Sequence, residues 1–315
     1  ASDLRECTAA ALEAVASPCG ALLVELPDED SELLQSAFEA AAAFFGSDDS
    51  DHSEKAALQG YKRQSHKERV QWTQHRCCVD AGSSHLQHAM NQAFDMLQAV
   101  AEAGVRAAAR AVEARQSAIV VQPSPSKIHP CKCLVADYCK RGKASVLNTY
   151  KYLNKPGFDE CNCRAHVDPG LATVLARATE PGLQVLVNGP RSNGQTSNFG
   201  DWTGKSVEFD AACSGGWWLD CEACMSAKDV LLIWGESMQR AVGGQVQACL
   251  HRVAPPAFSG RPRLSMAFEL RPDVPIYRPY WQSSEEESTD AGGLLVDELA
   301  TALAITTRTR PREKR

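Results

Sequence analysis

Residues 165–176 read AHVDPGLATVLA, and whether a strand ends inside this stretch decides what kind of protein this is. In a strand, residues two apart face the same side. His166 and Asp168 therefore project together if 165–168 is extended. Pro169-Gly170 then turns the chain, and 172–176 reads as a second short strand. An imidazole beside a carboxylate at a strand's end suits two ligands of a metal ion. Taken alone the pair says little, because a polar pair on a surface strand is spelled the same way.

Three further pieces lie outward from it. His251 opens the run HRV after a Gly243-Gly244 turn. Two histidines and one carboxylate make the facial triad of non-haem iron(II) oxygenases, which leaves coordination positions open. Arg263-Leu264-Ser265 again puts two side chains on one strand face. Arginine offers a planar fork for a carboxylate, and the serine adds a hydroxyl. Upstream, ASVLNTYKYL places Asn148 and Tyr150 on a common face, both able to donate to an anion. The candidate metal ligands are thus His166, Asp168 and His251. The candidate anion-binding residues are Arg263, Ser265, Tyr150 and Asn148.

The rest of the chain supplies a frame for these pieces. Helical spacing of apolar residues marks 3–16, 31–45 and a long stretch, 85–115, with a break expected near Gly104. Residues 20–26 read as a strand before a Pro-Asp turn. From 145 on, short β-type runs follow one another: 145–152, 165–168, 172–176, 183–187, 230–234, 249–253 and 263–270. Many short, closely spaced strands predict a sandwich or barrel. Residues 189–216 interrupt them with a Gly/Ser/Asn-rich loop, and Trp217 and Trp218 behind it are expected in the core.

The order N-x-Y, H-x-D, H, R-x-S resembles the 2-oxoglutarate and iron(II)-dependent oxygenases of the isopenicillin-N-synthase-like group. Flanking segments agree: PGLQVLVNG, DVLLIWGESMQRAVGG and HRVAPPAFSGRPRLSMAFELRP in the second half, CGALLVEL, AFFG and GYKRQSHKERVQW in the first. The resemblance spans about residues 5–280. It implies an α+β fold: a double-stranded β-helix (jelly-roll) core flanked by helices, with a mainly helical N-terminal region. The expected layout is one compact unit. It comprises a helical region with one or two edge strands (1–121), a Cys-rich connector (122–143), the catalytic core with its inserted loop (144–280) and a tail (281–315).

The resemblance also implies Fe(II), 2-oxoglutarate as cosubstrate, O2, and ascorbate as reductant. His166, Asp168 and His251 would hold the iron. Arg263 and Ser265, supported by Tyr150 and Asn148, would hold the far carboxylate of 2-oxoglutarate. The implied reaction couples decarboxylation to succinate with hydroxylation, desaturation or ring closure of a small molecule. An oxidase of the same fold that does not use 2-oxoglutarate, and a silent binding protein on this scaffold, stay open as alternatives. The chain departs from the group in the 189–216 loop, in the Cys-rich connector, and in Lys151-Tyr152, where plant members carry Tyr-Pro.

The remaining features point to no other chemistry. With a net charge of −6, a broad nucleic-acid footprint is not expected. No apolar run approaches the ~20 residues of a membrane span. A cytoplasmic monomer acting on a small molecule is the expectation. Thirteen cysteines, an odd count with no secretory signal in view, read as free thiols. HPCKCLVADYC (129–139), Cys161-x-Cys163 and Cys221-x-x-Cys224 are the local clusters, each lacking a complete zinc pattern.

Overall fold

Pro27 accepts the first N–H of a helix from Ser31, and Asp28, Glu29 and Asp30 load the helix's positive end with acids. That helix, α1 (Asp28–Gly46), buries Leu34, Ala37, Ala41 and Phe45 at three- and four-residue spacing. A strand, β1 (Ala21–Glu25), precedes it. A hairpin follows, β2 (Tyr61–Arg63) and β3 (Lys67–Trp72), and then the long helix α2 (Ser84–Ile119). The computed structural model describes residues 17, 19–46, 60–73, 84–119, 144–154, 161–188, 216–254, 260–273 and 276. The helix read at 3–16, the Cys-rich connector, the loop at 189–215 and the tail lie outside the described residues.

The second half supplies the remaining strands: β4 (Val146–Tyr152), β5 (Cys163–His166), β6 (Ala172–Ala176), β7 (Leu183–Asn188), β8 (Gly216–Asp220), β9 (Asp229–Trp234), β10 (His251–Val253) and β11 (Arg263–Leu270). A short helix, α3 (Glu236–Ala241), joins β9 to β10. The strands form two antiparallel sheets, ordered β1-β9-β6-β11-β4-β3-β2 and β5-β10-β7-β8. Non-consecutive neighbours such as β6-β11 and β5-β10 are the crossovers of a jelly roll.

Alternation along β11 decides what faces inward. Met266 and Phe268 are fully buried, and Phe268 meets Phe94 of α2 edge-on at 5.0 Å between ring centroids. Arg263, Ser265, Ala267 and Glu269 take the other face and line a cavity reached by residues of both sheets. Helix α2 is therefore the backing of the large sheet. It runs unbroken through Gly104, contrary to the expected break. A Cβ at Gly104 would stand 2.5 Å from Leu232 Cδ1 on β9, so the glycine serves close approach of helix to sheet.

One other expectation needs correction. Strand β8 begins where the loop was read to end, and it is the edge of the small sheet. Trp217 on it is 53% exposed, since it shares with Leu219 a face of the edge strand that no described element covers. Trp218 is half-buried and stacks under the Arg252 guanidinium at 4.2 Å. Residues 1–121 contribute three described strands, of which β1 and β2 are edges and β3 lies one place in. Among the described residues no helix is long and apolar enough to cross a membrane.

Candidate metal centre

Strands β5 and β10 are neighbours, and His251 lies opposite His166 in register. The two ring centroids are 4.3 Å apart. β5 ends at His166, so Asp168 stands two residues past the strand that the sequence alone would give it. Tertiary contacts hold it instead. Its carbonyl accepts the Glu236 N–H at 2.8 Å, and its Oδ2 accepts the Thr173 hydroxyl at 2.5 Å. Gly235 makes the first contact feasible. A Cβ there would lie 2.1 Å from the Gly170 carbonyl oxygen and 2.8 Å from that of Asp168.

Asp168 Oδ1 is 3.4 Å from His166 Nε2, and Oδ2 is 3.9 Å from His251 Nε2. One ligand atom from each residue lies within 4.8 Å of the other two. The far nitrogens are engaged by backbone carbonyls: His166 Nδ1 with Arg164 at 2.8 Å, His251 Nδ1 with Cys249 at 3.2 Å. A carbonyl on Nδ1 fixes the ring and leaves Nε2 as the lone-pair donor, the usual outer support of a metal-bound histidine.

The charges fit a cation. Burial pushes the His251 imidazole down, so it is neutral. Burial would lower His166 too, but its hydrogen bonds to Asp168 and Cys163 prevail and raise it to about 11. Burial would raise Asp168, yet the charged forms that His251 and His166 take in acid, and the Thr173 hydroxyl, hold it well below the usual carboxylate range. The cluster by itself keeps one proton between His166 and Asp168. Two imidazoles and one carboxylate around that proton are the donor set suited to iron(II).

At the other end of the cavity Arg263 is buried. Its Nη2 donates to Glu222 Oε1 at 2.8 Å and its Nε to the Glu180 carbonyl at 3.0 Å. Its Nη1 is buried and has no partner among the described residues, and neither has Asn148 Oδ1. The unmade hydrogen bond of a buried donor costs about 1–3 kcal/mol, so an incoming carboxylate, which accepts, is favoured at Arg263 Nη1. Arg263 lies over the Tyr152 ring at 5.4 Å, and Tyr152 stacks on Tyr150 at 5.7 Å. Burial pushes both phenols up, so both are neutral donors. Ser265 faces Tyr150 across the β4–β11 pair. These contacts fit the carboxylate of 2-oxoglutarate.

His166, Asp168, His251, Arg263, Ser265, Tyr150 and Asn148 all line this one cavity of about 210 Å³. The sequence reading missed Thr173, Glu222 and Tyr152. Tyr152 was within reach, being two residues from Tyr150 on the same face. Thr173 sits inward on β6, but nothing local marks it as the partner of Asp168. Glu222 carries no signal at all, since its role depends on Arg263 forty-one positions away. Of the cysteine clusters, Cys221 packs into an apolar cluster with its thiol pushed up to about 12 by burial, while Cys224 is exposed.

Solved structures share this architecture. A full-length Neurospora crassa protein in complex with alpha-KG matches with a TM-score of 0.64 at 19% identity, over 95% of this chain and 90% of that one. The dioxygenase for auxin oxidation in rice matches at 0.60 and 16% identity, over 95% and 90%. JOX2 in complex with 2OG, Fe and JA matches at 0.61 and 14%, over 86% and 73%. No protein-family model matches the sequence, and no curated protein matches it. The chain thus has the double-stranded β-helix fold of the 2OG-Fe(II) oxygenases.

Proposed function

We propose that this protein is an Fe(II)- and 2-oxoglutarate-dependent oxygenase acting on a small organic molecule. One relationship carries the reading. The His166–Asp168–His251 cluster and the unpaired Nη1 of buried Arg263 face the same cavity. When bound, iron(II) with 2-oxoglutarate would supply the oxidising chemistry, coupling decarboxylation to succinate with oxidation of the second molecule.

The chain's own residues have defined tasks. His166 and His251 present Nε2, and Asp168 presents a carboxylate oriented by Thr173. Arg263 binds the far carboxylate of the cosubstrate through Nη1, with Ser265, Tyr150 and Asn148 around it. The stacked Tyr150 and Tyr152 and apolar Leu183 and Val253 keep water from that end.

The test is anaerobic addition of iron(II) and then 2-oxoglutarate to the purified chain. A visible charge-transfer band is expected, and it should be absent in Arg263→Ala at the same 2-oxoglutarate concentration. Wild-type protein that gives no band refutes the reading.

A further inference from the structure

We infer that the molecule oxidised is an organic acid whose carboxylate is anchored by Arg69. The inference rests on the oxygenase reading above and concerns the same cavity.

Strand β3 lies beside β4, which lies beside β11. Lys67 is opposite Tyr152, and Tyr152 is opposite Arg263. Arg69 is opposite Tyr150, and Tyr150 is opposite Ser265. Two rows of inward side chains therefore cross the large sheet, each ending in a cation on β3. Both cations line the cavity.

Among the described residues the charges in the cavity do not balance: the lining cations are Lys67, Arg69, Arg263 and Arg271, and the lining carboxylates are Asp168 and Glu269. Arg263 is met by Glu222 at 2.8 Å and Arg271 by Glu269 at 2.5 Å. Among the described residues Lys67 and Arg69 have no carboxylate partner. Lys67 lies 5.8 Å from the Tyr150 and Tyr152 ring centres, and Arg69 shares a hydrogen bond with the Tyr150 side chain.

Counted over the described residues, loading the site leaves one positive charge over. The two charges of iron(II) are met by Asp168 and one carboxylate of 2-oxoglutarate. The other carboxylate enters the Arg263 row, where Arg263 is already offset by Glu222 and Lys67 supplies the balancing charge. Arg69 remains. Its row is one inward step, roughly 6–7 Å, further along β11 toward Glu269, which bonds the Gly170 N–H beside the metal-ligand loop. It thus stands between the far carboxylate and the metal, to the side of both. A guanidinium there, half-buried and without a counter-charge among the described residues, matches a carboxylate in charge and in fork geometry. A neutral molecule leaves it unmatched.

The test uses the full chain with iron(II) and 2-oxoglutarate. It is offered a panel of small aliphatic and aryl-substituted carboxylic acids, each beside its primary amide. Succinate release and perturbation of the charge-transfer band are read. Acids should act and their amides should fall short by about a hundredfold in kcat/KM. Arg69→Gln should cut that preference by about tenfold or more, and Arg69→Lys should keep part of it. Amides that serve as well as their acids overturn the inference, as does a preference unchanged in Arg69→Gln or a panel in which no acid acts. The acid–amide comparison needs only the wild type, so it decides even if the Gln variant does not fold. A missing charge-transfer band, by contrast, overturns the oxygenase reading and this inference with it.

Discussion

The Arg263 guanidinium donates to Glu222 across 2.8 Å, and each side chain is only 3% exposed. Glu222 also accepts the N–H groups of Ala178 and Leu183, at 3.2 and 3.0 Å. The carboxylate thus fixes the pocket's deepest cation while satisfying the backbone at the ends of two strands. Removing one partner of such a pair leaves the other as an uncompensated buried charge, at a cost of about 3–5 kcal/mol. Arg263→Met should lose stability on that scale in urea unfolding. Arg263→Met combined with Glu222→Gln should recover most of it, because no bare charge is left. Both variants should still require far more 2-oxoglutarate, separating the structural use of Arg263 from its use in binding.

The metal ligands should be separable from their supports. His251→Ala should bind no iron and release no succinate, and retained turnover in that variant would remove it from the ligand set. Thr173→Val keeps all three ligands but deletes the 2.5 Å hydrogen bond to Asp168. Loss of such a support lowers metal affinity by about 10- to 100-fold. Titration against a competing chelator reads this directly. An unchanged affinity would show that Asp168 is oriented by its loop alone.

Gly235 should tolerate no side chain. A methyl group there meets the Gly170 and Asp168 carbonyl oxygens at 2.1 and 2.8 Å. Backbone cannot swing aside as a flexible side chain does, so Gly235→Ala should move the Asp168 loop. Lower iron affinity and a lower Tm are both expected. Normal values for both would mean that the loop gives way without disturbing the ligand.

Metal uptake should depend on pH through a single proton. In the metal-free protein His166 holds its proton up to about 11, Asp168 is ionised, and His251 is already neutral. Binding a cation must expel the His166 proton. Apparent affinity should therefore rise about tenfold per pH unit between roughly pH 7 and 9. The same shift has a consequence for the metal-free fold. A histidine raised above its ordinary value of 6.5 lends stability that is complete below that value and is lost as pH climbs toward 11. Asp168, held low, lends stability that is lost only in acid. A pH-independent iron affinity over this range would refute the protonated His166.

Much of this protein was legible along the chain because the signals are local. Alternation in LNTYKY and RLSMAFEL assigned Asn148, Tyr150, Arg263 and Ser265 to common faces, and the strands at 172–176 and 263–270 fall where that spacing puts them. The long helix was legible too, apart from Gly104. There a propensity argument predicts a break, while the packing against Leu232 requires the glycine. Trp217 was misread for the opposite reason. Its bulk suggests the core, but it shares with Leu219 a face that no described element covers, and cover is a property of the assembled fold.

The sequence by itself determined the residue types of the candidate site and the faces they share, since strand periodicity is written within a few residues. Tertiary structure alone decided the rest. Asp168 lies beyond its strand and is held by Thr173 and Glu236. Glu222 meets Arg263, and Arg69 enters the cavity only because β3 docks beside β4. Such pairings are set by which strands become neighbours, and a residue's distant partner leaves no mark on the spacing around it.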